Sequence, residues 1–324
     1  MKMKEFPIDQ KKILPQRGSW PETVHVFDSY SVNAIRAALA AERPLLVRGE
    51  PGTGKSQLAR AAAEHLERLF VSEVVHSRSE SQDLQYHFDA VGRLGEAQAL
   101  GHICHQESEV REKLAPINFL SPGPLWWVFD WEKAEEQYKK CPHHYPCPQP
   151  PDGWQEENGS VLLIDEIDKA DADLPNGLLE TLGNGRFPVP YLKEPVGMTS
   201  KNCPLVIITT NEERELPPAF VRRCLVLHLR LPKEKEEFIN CLVNRGQHHF
   251  NACGEKIMRT AATLLWDDRA EARRQGGTPP GQAEYLDMLR ALSRLAPGNF
   301  SQQKALLEEV AEYALKKYVD LDEA

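Results

Sequence analysis

The 324-residue sequence has no apolar run approaching the roughly 18 uncharged residues that a bilayer-spanning helix needs. Its opening, MKMKEFPIDQKK, has no apolar stretch of the signal-peptide kind, so a cytoplasmic location is the expectation. A basic excess is also missing. The 39 Lys and Arg residues are outnumbered by 48 Asp and Glu, giving a formal net charge of −9 and a pI near 5.7. That balance disfavours a dedicated nucleic-acid binder, although it is compatible with a local basic channel formed in an oligomer. Cysteine is sparse, odd in number at seven, and scattered, which points to reduced thiols rather than a disulfide frame. There are no internal repeats. What is present, 41% hydrophobic and 27% charged residues, is ordinary for a soluble globular chain, and the length suits two domains.

Val32–Ala41 reads as a helix running into RPLLVRG (Arg43–Gly49), a short β-branched stretch bounded by Pro and Gly and therefore a buried strand. From Lys55 the apolar spacing becomes helical, and Val71–His76 reads as a second strand. Strand, helix and strand in that order predict a parallel sheet. Val161–Ile164, Leu205–Thr210 and Val226–Leu231 supply further strands. The stretch 77–160 has no strong periodicity and holds an aromatic cluster, PLWWVFDW (Pro124–Trp131). It also holds a proline-dense piece, Cys141–Pro151, that can continue neither a helix nor a central strand. Beyond Pro232 the pattern is helical only: Glu234–Asn244, Lys256–Arg274, Gln282–Leu295 and Ser301–Tyr318. The expected organisation is an α/β domain over 1–232, with an irregular insertion at about 100–158, and a small all-α domain over 233–324.

GEPGTGKS (Gly49–Ser56) fits the pattern G-x-x-x-x-G-K-[ST] between a buried strand and an amphipathic helix. Glycines let backbone N–H groups turn toward phosphate oxygens, and the following helix adds its positive N-terminal end. Gly49, Glu50, Pro51, Gly52, Thr53, Gly54, Lys55, Ser56 and Gln57 are the candidate nucleotide-binding residues. Lys55 would reach the β- and γ-phosphates of ATP, and Ser56 would ligate Mg²⁺. VLLIDEID (Val161–Asp168) places Asp165 and Glu166 at the C-terminal end of a strand, the edge where open parallel sheets bind ligands. Asp165 would hold Mg²⁺ through water, and Glu166 would act as general base toward the attacking water. LVIITTN ends on Asn211, either a turn former or a residue orienting that water. Arg222 and Arg223 in AFVRRC are either a surface pair or a source of charge for a neighbour's γ-phosphate. Cys141, His143, His144 and Cys147, with His102, Cys104 and His105 upstream, offer thiolate and imidazole ligands, but their spacing lacks the paired C-x₂₋₄-C form and zinc is disfavoured.

With these motifs in order, residues 20–315 resemble the AAA+ ATPases, and within them the MoxR-like group. The resemblance implies a five-stranded parallel sheet flanked by helices, a C-terminal helical lid, and a hexameric ring with nucleotide between subunits. Walker A is then GEPGTGKS, Walker B is LLIDEID, and sensor 1 falls on Asn211. The segment LPPAFVRRC would carry the trans-acting arginine finger, on Arg223 or Arg222. Arg78–Gln98 looks like the helix-2 insert. Gly185–Pro204, carried on a helix over Leu174–Leu182, resembles the hairpin before sensor 1. One departure is clear: the position matching the group's sensor 2 arginine is Gly281, so either Arg273 or Arg274 substitutes or the lid couples to the γ-phosphate differently, and no sensor 2 residue is assigned. The group typically works with a von Willebrand A-domain protein, so the resemblance implies a protein-remodelling role. A nucleic-acid motor like the McrB-type restriction GTPases and a slowly turning nucleotide-gated scaffold are the alternatives.

Overall fold

A computed structural model of the chain describes residues 4–103, 107–141, 146–198 and 203–315. Strands β1 (Lys11–Leu14) and β2 (Thr23–Val26) pair antiparallel. Helix α1 (Ser29–Ala41) leads to β3 (Leu45–Arg48), α2 (Lys55–Leu66) and β4 (Leu69–Val74). Next come β5 (Tyr86–Phe88), α3 (Ala90–Ile103), α4 (Glu107–Lys113), β6 (Leu120–Pro122), α5 (Pro124–Phe129) and α6 (Trp131–Lys140). They are followed by β7 (Ser160–Asp165), α7 (Asp173–Asn184), β8 (Arg186–Phe187), β9 (Val196–Gly197), β10 (Leu205–Thr210), α8 (Pro218–Arg223) and β11 (Leu225–His228). Four helices complete the described chain: α9 (Lys235–His249), α10 (Glu255–Arg274), α11 (Gln282–Leu295) and α12 (Phe300–Leu315). Among the described residues no helix is long and apolar enough to cross a membrane.

The chain packs as two compact units. The first takes in Asn33–Val47 and Ala59–Leu227; the second takes in Glu5–Val32, Arg48–Leu58 and the chain from His228 onward.

In the first unit the expected five-stranded parallel sheet is present, in the order β11-β3-β10-β7-β4. Its inner strands are buried on both faces, which is why LLVR, SVLLID and LVIITT read as continuous apolar runs rather than as alternating ones. Leu205 pairs with Val161 and Ile208 with Ile164, so the next step along each strand sets Thr209 beside Asp165. The aperiodic stretch before β7 is more ordered than its sequence suggests. All six residues of α5 are buried, because PLWWVF is apolar on every face and forms part of the core with Leu162, Ile164 and Ile208. Trp127, Trp131 and Trp154 follow one another in tilted and edge-to-face contact, with ring centroids 4.8 and 5.1 Å apart. β5 pairs with β6, not within Arg78–Gln98. β8 and β9 form a short antiparallel pair after α7.

In the second unit, α9–α12 close around Phe238, Leu242, Leu265, Tyr285, Met288 and Leu292. β2 packs on α9. Gln57 binds the P-loop end of α2 to β2, donating from Nε2 to Thr23 Oγ1 at 3.1 Å and to the Val24 carbonyl at 2.8 Å.

Of the cysteine and histidine set considered for zinc, His143, His144, Cys104 and His105 lie outside the described residues, as does the side chain of His102. Among the described residues no group of three or more His, Cys, Asp or Glu side chains is placed to hold a metal ion.

Candidate functional site

The loop Gly49–Ser56 belongs to the second unit. Gly52 (φ +73°) and Gly54 (φ +90°) hold left-handed backbone that a side chain would oppose. A Cβ at Gly54 would meet only Gln57 Oε1, at 3.9 Å, an ordinary van der Waals contact. Lys55, at the first turn of α2, is buried and folds back over the loop. Its Nζ donates to the carbonyls of Gly49 at 2.8 Å and Glu50 at 2.9 Å. Thr53 Oγ1 donates to the same Glu50 carbonyl at 2.9 Å.

Beside Gly54 a cleft is lined by His25, Asp28, Gln57, Arg245, His249 and Gln282. Gln282 Oε1 is buried and has no hydrogen-bond partner among the described residues. Burial, then the Arg245 charge, lowers the His25 pKa to about 4 against an opposing effect of Asp28. Burial, followed by Arg290, Lys11, His248 and Arg245, lowers that of His249 to about 4. Both imidazoles are therefore neutral near pH 7. The unfolded chain takes up these protons near 6.5, so between 6.5 and about 4 it binds more of them than the folded chain does. Their contribution is complete above pH 6.5 and is lost as the pH falls toward 4. A loss of about 2 kcal/mol for the pair, discounted because both rings are half-buried, is expected in urea titrations at successive pH values. His25→Asn with His249→Asn should flatten the slope; an unchanged slope would place the acid sensitivity elsewhere.

The carboxylates Asp165 and Glu166 belong to the first unit. β7 ends on Asp165, and Glu166 follows in left-handed backbone (φ 58°, ψ 47°), a conformation that costs a non-glycine residue about 1 kcal/mol. Thr209, fully buried on β10, holds both in place: its hydroxyl donates to Asp165 Oδ1 and accepts the Glu166 N–H at 2.9 Å. Asn211 Nδ2 donates to Glu166 Oε1 at 3.1 Å, which sets the amide against the acid. Asp168, 1% exposed, accepts the backbone N–H groups of Asn211 at 3.3 Å and Glu213 at 2.9 Å, shaping the turn after β10. Asp168→Ala is expected to cost about 2–3 kcal/mol, since two backbone donors lose a charged acceptor. Thermal melts of the variant and the parent check it.

Arg222 and Arg223 end α8 with exposed side chains. Arg43, just before β3, fixes their backbone: Nε donates to the Arg223 carbonyl at 3.0 Å and the guanidinium also donates to the Arg222 carbonyl. Thr209, Asp168 and Arg43 are site residues that sequence reasoning missed. Thr209 and Asp168 lay inside quoted motifs as TT and DEID, whereas Arg43 gave no signal before the fold placed it.

A parallel sheet with a G-x-x-x-x-G-K-S loop after one strand and an acid pair after another defines a P-loop nucleotide-binding protein. More specifically, the chain belongs to the AAA+ ATPases: the family described as AAA domain (dynein-related subfamily) matches residues 44–224. No curated protein matches the sequence. Among solved structures, a protein from Cytophaga hutchinsonii ATCC 33406 to which ATPase activity is attributed is 15% identical. The match covers 87% of this chain and 79% of that one, and its TM-score of 0.41 is too loose to inform the site.

Proposed function

We propose that the protein hydrolyses ATP with Mg²⁺ and spends the energy on remodelling or activating a protein partner, in the manner of the MoxR-like group. The observation that carries the hydrolytic reading is the network in which Thr209 orients Asp165 and Glu166 while Asn211 holds the Glu166 carboxylate. Such an arrangement presents an acid in one fixed pose at a strand end, as a water-activating base requires. The residues also suit the ligands. The unpartnered Gln282 Oε1 in the cleft beside Gly54 fits a nucleotide, and the Ser56 hydroxyl and the Asp165 carboxylate are each hard oxygen donors of the kind that Mg²⁺ prefers. When bound, the ion supplies charge to the phosphate oxygens; Lys55 binds and orients the phosphates, and Glu166 takes the proton from water.

The exposed Arg223, with Arg222 beside it, would reach a neighbouring subunit's nucleotide, so activity requires assembly as a ring, a hexamer by resemblance. In assembled protein, Arg223→Ala is expected to lower turnover by about 10³-fold or more. Mixing Arg223→Ala with Lys55→Ala chains should restore part of it, because an intact loop then meets an intact arginine across a mixed interface. Turnover that is independent of protein concentration and not restored on mixing would overturn the shared site. The protein-partner reading, including a von Willebrand A-domain partner, is tested by turnover with such a protein or with DNA added; stimulation by DNA alone would favour the nucleic-acid motor.

A further inference from the structure

One side chain joins the phosphate loop to the helical bundle with more connections than packing needs. Arg269, on α10, has a side chain only 5% exposed, and its guanidinium lies 2.5 Å from Glu50 Oε2. A second nitrogen donates to the Pro280 carbonyl just before α11, and the guanidinium carbon sits 5.5 Å from the centre of the Phe238 ring on α9. Arg273, one turn on, adds a contact to Glu50 Oε1 at 3.3 Å. A buried guanidinium is costly unless a carboxylate meets it, and here the carboxylate belongs to the second residue of the phosphate loop.

Glu50 therefore has two ends. Its carboxylate is held by α10, and its carbonyl is held by Lys55 Nζ at 2.9 Å and by Thr53 Oγ1 at 2.9 Å. The start of α11 presses on the next loop residue: a Cβ at Gly281 would come within 2.8 Å of the Pro51 carbonyl oxygen, so no side chain is accommodated at that position. When Lys55 turns from the loop carbonyls to phosphate oxygens, the Glu50 carbonyl loses that donor. The carboxylate clamp then keeps this part of the loop in place.

We propose that Arg269 is a positioning residue for the phosphate loop, holding Glu50 so that nucleotide binding at Lys55 and the placement of α10 and α11 are coupled. The inference rests on the ATPase reading above. The test uses the full chain and compares Glu50→Gln, Arg269→Gln, Arg269→Lys and the double Glu50→Gln/Arg269→Gln. Three quantities are read: affinity for a fluorescent ATP analogue, kcat, and the thermal midpoint without nucleotide. Each single glutamine variant is expected to weaken analogue binding by about tenfold, with the double no weaker than the worse single, because both remove one interaction. Arg269→Lys should recover part of the affinity, since a charge remains but cannot bridge Glu50 and Pro280 together. Glutamine at position 50 keeps an oxygen that can accept from Arg269, so Glu50→Gln is expected to melt below the parent but to stay folded, and it decides the matter even if Arg269→Gln fails to fold. Parental affinity and kcat in Glu50→Gln, or additive losses in the double variant, would overturn the clamp. Lys55→Ala run in parallel separates the two readings: if it hydrolyses ATP as the parent does, the assignment of hydrolysis to this loop falls, whereas a dead Lys55→Ala beside an unaffected Glu50→Gln removes only the clamp.

Discussion

Lys55→Ala is expected to abolish ATP hydrolysis while leaving a folded protein. The ammonium is the one cation on the loop itself, and it sits on carbonyls it must leave when phosphate arrives, 2.8 Å from Gly49 O and 2.9 Å from Glu50 O. Deleting a preorganised charge aimed at a reacting group costs about 10²–10³ in rate, and losing its hold on the ground-state phosphates should weaken affinity as well. The structural cost is smaller. Two loop carbonyls lose a donor but can turn to water in a nucleotide-free loop, so about 1 kcal/mol is expected in a thermal or urea melt. Phosphate release at saturating ATP, with circular dichroism on the same sample, reads both effects. Hydrolysis within tenfold of the parent would remove Lys55 from the reaction and with it the assignment of hydrolysis to this loop.

How far the chain could be read before folding depended on whether a segment's role left a periodic trace. β10 and α11 take the expected boundaries, Leu205–Thr210 and Gln282–Leu295, because a strand buried on both faces and a helix with one apolar stripe each have a characteristic pattern. The motif residues were legible for the same local reason: glycine spacing and strand-end acids are features of contiguous sequence. What was not legible is long-range. α5 is apolar on all sides, so it shows neither period, and β5 finds its partner some thirty residues later in β6. Arg269 looked like one more charge on a helix until Glu50, 219 positions away, closed on it. Arg43 likewise means nothing until β3 and the end of α8 come together. Thr209 shows the intermediate case. The residue stood in plain view two positions before Asn211, but its use of one hydroxyl to hold both acids needs the β7–β10 register.

That register also predicts that Glu166→Gln will behave unlike Lys55→Ala. Glutamine keeps an Oε1 able to accept from Asn211 Nδ2, and its backbone can keep both the left-handed turn and the N–H bond to Thr209. Geometry and binding should survive; what goes is the negative charge that takes a proton from water. General-base removal costs about 10²–10⁴ in rate, so kcat should fall by that much while affinity for ATP stays within a few-fold of the parent. Single-turnover hydrolysis against equilibrium binding of the same nucleotide separates the two, and parental turnover would sink the assignment of Glu166 as base. The variant also discriminates between an engine and a gated scaffold. It would hold ATP without consuming it, so a remodelling ATPase should lose its effect on the partner protein. A scaffold that needs only bound nucleotide should keep its effect, and that outcome would overturn the remodelling role while leaving the hydrolytic site intact.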